Sequence, residues 1–140
     1  DYSEKFVEID YVDLMSVARG LDVSDLSASA HADLGEQFLD LPLRHTYGSL
    51  ARTLSSILDE VNAPLSFDLL GLDVEGNEHA VLKGLDFNRY QPKWILVEVR
   101  QVDHLISCLL ESNSYFEYKK LSENSRYSDI LFCKRNNLAS

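Results

Sequence analysis

Lysine and arginine are scarce in this 140-residue chain, 13 against 23 aspartates and glutamates, for a formal net charge of -10 at pH 7. Affinity for nucleic acid or an anionic membrane rests on clustered cations, so neither is an expected partner. Long apolar runs are missing too. Stretches such as Trp94 to Val97 fall far short of the roughly 20 residues that cross a bilayer. The two cysteines, Cys108 and Cys133, show neither Cys-x-x-Cys nor Cys/His zinc spacing. Ordinary buried thiols and a reducing, cytoplasmic setting are expected. The opening Asp1-Tyr2-Ser3-Glu4-Lys5 has no basic or apolar leader and no initiator methionine, which reads as a fragment or a processed product. Also absent are a Gly-x-Gly-x-x-Gly after a strand and an acid closing a second strand further on. No dinucleotide or adenosyl cradle is encoded here.

What is present is 45% apolar, enough for the core of one domain spanning residues 1–140. Lys5 to Asp10 reads as a short strand, and Val12, Met15 and Ala18 with Gly20 beyond them read as a brief helix. Asp22 to Gly35, rich in Ser, Ala and Asp, reads as an exposed, mobile loop. Leu39, Leu41 and Leu43 alternate with Asp40, Pro42 and Arg44, an edge strand followed by a turn at Thr46-Tyr47-Gly48-Ser49. Leu50, Leu54, Ile57, Leu58 and Val61 repeat at helical spacing and predict an amphipathic helix packed on a sheet.

Phe67 to Val74 is almost wholly apolar, the pattern of a strand covered on both faces. Gly76 permits a sharp exit into a helix from Glu78 to Leu85. Trp94 to Val99 is a second buried strand, again closed by an acid, Glu98, and Val102 to Leu110 a further helix. A parallel βαβ crossover follows from that order. Phe116 to Leu121 and Asp129 to Lys134 predict an antiparallel hairpin. The fold class is therefore α/β, with mostly parallel strands, a terminal antiparallel hairpin and helices on both faces.

Ligands of open α/β sheets bind outside the carboxyl ends of the strands, and the acidic turn Asp73-Val74-Glu75-Gly76-Asn77-Glu78 lies at such an end. Asp73 and Glu75 are two apart, so extended geometry points them the same way. Glu98 would add a second wall, although it can equally pair with Arg100 or Lys93. The bland alternatives are that Asp73 and Glu75 cap turn and helix amides, and that Glu78 is a first-turn helix acid. His79 and His104 each open a helical region and can act as bases; His31 and His45 lie in less ordered surroundings. Oxygen ligands of this kind suit magnesium or calcium, but no EF-hand spacing is present, and no metal is expected.

Three stretches together carry a family resemblance: Leu-Asp-Val-Glu-Gly-Asn-Glu from Leu72, Val-Leu-Lys-Gly-Leu-Asp-Phe from Val81, and Pro-Lys-Trp-Ile-Leu-Val-Glu from Pro92. The block from Phe67 to Val99 resembles the FkbM family of S-adenosylmethionine-dependent methyltransferases, which typically act on hydroxyl oxygens. The helix from Leu50 to Val61 is similar to the family's upstream Thr-Leu-Asp segment, with Ser55 in place of the Asp. The resemblance implies a class I, Rossmann-like methyltransferase sheet in which the Phe67 strand is the fourth and the Trp94 strand the fifth. It also implies an Asp-x-Gly-x-Asn-x-Gly-like loop for the cofactor, which is not found. The chain is accordingly expected to be the C-terminal portion of such a domain, without the main cofactor-binding loop.

With the resemblance added, Asp73 and Glu75 are the expected catalytic residues: Asp73 orients the substrate hydroxyl or contacts the cofactor, and Glu75 accepts the hydroxyl proton. Glu98, Gly76 and His79 are the expected substrate-binding residues. The cofactor is S-adenosylmethionine, and the acceptor is a hydroxyl on a small molecule or glycan. The alternatives are a non-catalytic binding module built on the same fold, or an acidic divalent-cation site. An open strand edge would favour a homo-oligomer or completion by another segment.

Overall fold

Residues 5–21, 25–39, 44–100, 104–124 and 126–138 are described by the computed structural model, and the chain sorts into two units, Asp1–Thr53 and Leu54–Ser140. No helix among the described residues is long and apolar enough to cross a membrane.

In the first unit, strand β1 (Phe6–Tyr11) runs antiparallel to β2 (Val17–Ala18) on one side and to β3 (His45–Leu50) on the other. A single 3-10 turn, Asp13–Met15, joins β1 to β2, so the brief helix expected over Val12 to Ala18 is a turn and a short strand. The expected loop from Asp22 to Gly35 is overturned more completely: Asp25–Leu39 is a helix, α1. Its inward residues are small. Ala28 and Ala32 are fully buried with Val12 and Val17. At Gly35, one turn on, a Cβ would stand 3.1 Å from that of Met15 and 3.3 Å from that of Val12, so glycine is what permits the approach.

The edge strand expected over Leu39 to Arg44 falls mostly outside the described residues. Leu39 closes α1, residues 40–43, Pro42 among them, lie outside the described residues, and β3 takes in the expected turn at Thr46 to Ser49. Pairing with β1 over six residues outweighs the local turn propensity of Gly48-Ser49.

Asp10 on β1 is fully buried, and its carboxylate accepts hydrogen bonds from Arg19 Nε at 2.7 Å, Arg44 Nη2 at 2.8 Å and Thr46 Oγ1 at 2.8 Å. Burial alone would raise its pKa, but the donors from Arg19, Thr46 and Arg44 hold it below the ordinary value. This network links β1, β3 and the turn after β2.

The second unit opens with α2 (Leu54–Glu60) and continues through β4 (Leu69–Leu72), α3 (Glu78–Lys83), β5 (Trp94–Arg100), α4 (His104–Ser112), β6 (Tyr115–Glu123) and β7 (Tyr127–Lys134). The sheet order is β4-β5-β7-β6. The expected βαβ crossover is present, since α3 lies in sequence between the parallel strands β4 and β5. The hairpin is present as well, with β7 inserted antiparallel between β5 and β6.

Mostly parallel strands are not found among the described residues: β4 with β5 is the one parallel pair, and the first unit's sheet is wholly antiparallel. The physical reason is local. The α3 crossover returns β5 parallel to β4, short connections make β1 with β2 and β6 with β7 antiparallel, and β7, inserted between β5 and β6, runs against both.

Alternation along β5 sends Ile95, Val97 and Val99 into the core and leaves Trp94, Leu96, Glu98 and Arg100 half-buried on the other face. Leu72, Leu82 of α3, Ile106 and Leu110 of α4, Tyr115, Ile130 and Phe132 complete the cluster on the first face. Tyr115 donates its hydroxyl proton to the Pro92 carbonyl at 2.7 Å, which satisfies the one polar atom it buries.

β4 is shorter and more open than a strand covered on both faces. Leu69 and Gly71 are exposed beside the half-buried Trp94 and Leu96. α2 is amphipathic in sequence but buries none of its residues, and Ile57 is exposed. Cys133 is buried as expected, but Cys108 is exposed on α4.

Candidate functional site

The end of β4 is shaped by its last buried residue, Leu72, and by the turn that follows. Glu75 has φ 57° and Gly76 φ 96°. Gly76 meets this left-handed requirement freely, while Glu75 adopts it at a cost of about 1–2 kcal/mol. Glu78 holds the turn. Its Oε1 accepts the Val74 and Gly76 amides, each at 3.0 Å, and the residue is almost wholly buried. The expectation of a first-turn helix acid for Glu78 is met, and its carboxylate takes these two amides. α3 therefore starts from a turn whose amides are already taken by the chain itself.

Asp73, Glu75 and Glu98 each offer a carboxylate oxygen, and the three oxygens lie within 4.8 Å of one another. The expected convergence of Asp73 and Glu75 is present, but through the reversal at Glu75 rather than extended geometry. Glu98 joins them because β5 is hydrogen-bonded in parallel beside β4. Arg100, two residues along the same face, pairs through Nη2 with Glu75, and its Nε stands 3.9 Å from Glu98 Oε1. Lys93 instead pairs with Asp68 at 2.7 Å.

The third wall comes from the hairpin. Asp129 of β7 is the register partner of Glu98, and Asp129 accepts the Ser122 hydroxyl of β6.

Negative charge outweighs positive here, and Glu98 absorbs the imbalance. Burial first, then the charges of Asp73, Asp129 and Glu78, push its pKa up to about 7. Burial lowers the Arg100 pKa, with Asp73 opposing. A carboxyl raised in this way is brought toward the range in which it can both accept and return a proton near neutral pH.

The other expected residues fall less centrally. Gly76 forms the turn; His79, half-buried on α3, is outside the carboxylate cluster. His104 is exposed at the start of α4. His31 and His45 belong to the first unit, where His45 lies 4.7 Å from the Tyr11 ring, centroid to centroid. Sequence reasoning missed Asp129 and Ser122, which the hairpin register brings in, and left the Arg100 link to Glu75 unrecognised.

The three clustered oxygens are near enough to reach one cation, but Arg100 already supplies positive charge to Glu75, and no metal centre is assigned. The Val74 and Gly76 amides of the β4–α3 turn are engaged by Glu78, so these two do not donate to a cofactor. What the arrangement fits is a hydrogen-bond donor such as a hydroxyl group, presented to carboxylates at a strand end.

Among families of known proteins, the one described as Methyltransferase FkbM domain matches residues 18–118. That span contains β4, the turn, α3 and β5. No curated protein and no solved structure matches the chain.

Proposed function

This chain belongs to the FkbM methyltransferase domain family, and from that premise we propose that it serves methyl transfer to a hydroxyl oxygen of a small molecule or glycan. The proposed methyl donor is S-adenosylmethionine. The observation that carries this reading is the convergence of Asp73, Glu75 and Glu98 at the carboxyl ends of two parallel strands, where α/β sheets collect ligands.

In this reading Asp73, exposed at the mouth of the cluster, accepts a hydrogen bond from the acceptor hydroxyl and orients its oxygen. Glu98 would take the hydroxyl proton as the methyl group passes to the acceptor oxygen from the donor's sulfonium, which would leave as a neutral thioether. Glu75 is engaged in an ion pair with Arg100, so its proposed part is to fix Arg100 beside Glu98. Gly76 keeps the turn clear of side chain, and His79 borders the acceptor from α3. A core closed on one face of β5, with Leu96 and Glu98 half-buried on the other, favours an approach from that second face.

The test is transfer of a labelled methyl group from S-adenosylmethionine to hydroxylated small molecules and glycans, for wild type, Asp73→Asn and Glu75→Gln. Loss of rate in Asp73→Asn supports the reading, and unchanged rates in both variants remove these residues from the mechanism.

A non-catalytic binding module is the second reading, favoured by the amides that Glu78 occupies and by the missing glycine-rich loop. Calorimetry with S-adenosylmethionine separates the two. Heat of binding supports the enzyme, and no heat supports the module.

A further inference from the structure

Asp129 stands directly across from Glu98 in the antiparallel pairing of β5 with β7. Like charges in that relation repel and weaken a sheet, so the pair calls for an explanation beyond stability.

The hairpin is built to keep Asp129 there. Between Lys120 and Ser122, β6 advances two residues while β7 advances one, from Ile130 to Asp129. Such a bulge re-aims side chains; without it Leu121, not Ser122, would be the partner of Asp129. With it, the Ser122 hydroxyl donates to Asp129 Oδ2 and holds the carboxylate in place.

We propose that Asp129, set opposite Glu98 by the bulged hairpin and anchored by Ser122, is a positioning residue that tunes Glu98 for proton transfer. The role in methyl transfer rests on the function proposed above; the coupling between the two carboxyls does not.

Among the described residues, the charged groups facing Glu98 are Asp73 and Glu75 from the β4–α3 turn, Glu78 from α3, Arg100 from its own strand and Asp129 from β7. Asp73 and Glu75 are also assigned to the acceptor or to Arg100, and Glu78 is engaged by the turn amides. Asp129 is bound by a neutral hydroxyl, so its charge is available to act on Glu98. A stronger base at Glu98 accepts the hydroxyl proton more readily, and the β6–β7 hairpin thereby becomes part of the active site.

The experiment is a carbon-13 NMR titration of the full chain labelled at its glutamate carboxyls, with Glu98 identified by its absence in Glu98→Gln. In Asp129→Asn the Glu98 midpoint should fall by about 1 pH unit, and in Asp129→Glu it should return toward the wild-type value. A purely structural role for Asp129 would not move this midpoint, and an unmoved midpoint in a folded Asp129→Asn overturns the proposal. Should that variant not fold, Ser122→Ala carries the test, with a smaller fall in the same direction expected and no fall overturning it. The acid limb of the methyl-transfer rate should shift with the midpoint. A shifted midpoint in a protein that transfers no methyl group upholds the coupling and refutes the function.

Discussion

Replacing Glu98 with glutamine should make the protein more stable in mildly basic solution and leave it nearly unchanged in acid. The carboxyl has an ordinary value of 4.5 and is pushed up to about 7, by burial and by Asp73, Asp129 and Glu78. Between those two values the unfolded chain ionises while the folded one keeps its proton, so stability falls as pH rises through the interval and stays low above it. At about 1.4 kcal/mol per pH unit, the penalty has a ceiling of roughly 3 kcal/mol. The Glu98 side chain retains 17% exposure, and screening by water and salt brings the expected figure to about 1–3 kcal/mol. Glutamine keeps the shape and never ionises. Urea unfolding of both proteins from pH 5 to pH 8.5 reads the difference directly: the variant's advantage should grow with pH and level off above pH 7. An advantage that is constant with pH, or a variant less stable than wild type at pH 8.5, would refute the reasoning.

Arg100→Met removes the guanidinium that pairs with Glu75 and lies beside Glu98; a loss of about 1–3 kcal/mol at pH 8 is expected from denaturant melts, with less at pH 5. Glu78→Ala takes away the acceptor of the Val74 and Gly76 amides, at a cost of about 1–3 kcal/mol, and hydrogen exchange at those two amides should quicken well beyond that of β5. Gly35→Val drives a branched side chain into Met15 and Val12, and a loss of about 1–3 kcal/mol in thermal or chemical unfolding is expected.

Much of the second unit was legible because its signals are local and strong. Trp94 to Val97 is an unbroken apolar run, the helix after Gly76 has inward residues at helical spacing, and Phe116 to Lys134 reads as two strands with a polar link. The meeting of Glu98 with the acids after β4 was legible from position, since acids at two strand ends meet when those strands pair in parallel, but the reversal at Glu75 was not.

Other features were hidden for identifiable reasons. α1 makes its core contacts with Ala28, Ala32 and Gly35, residues that carry little hydrophobic weight, among Ser and Asp that compete for backbone bonds. The strand at Thr46 to Ser49 looks like a turn until β1 supplies a partner. The openness of β4 depends on which strands flank it, a tertiary property. Asp129 was out of reach because a hairpin with two register shifts places its side chains by a count that composition does not reveal. The Arg100–Glu75 pair lay nearer the surface of the sequence, since alternation along β5 already put Arg100 on the same face as Glu98.

The most direct measurement is the pH dependence of methyl transfer from S-adenosylmethionine to a hydroxylated acceptor, compared between wild type and Glu98→Gln, with cofactor binding followed by calorimetry in both. The expected result is a wild-type rate that rises through about pH 7 and a variant slower by about 100-fold or more, with cofactor affinity unchanged. A Glu98→Gln protein that transfers methyl groups at the wild-type rate, with the same pH profile, would contradict the assignment of proton transfer to this strand end.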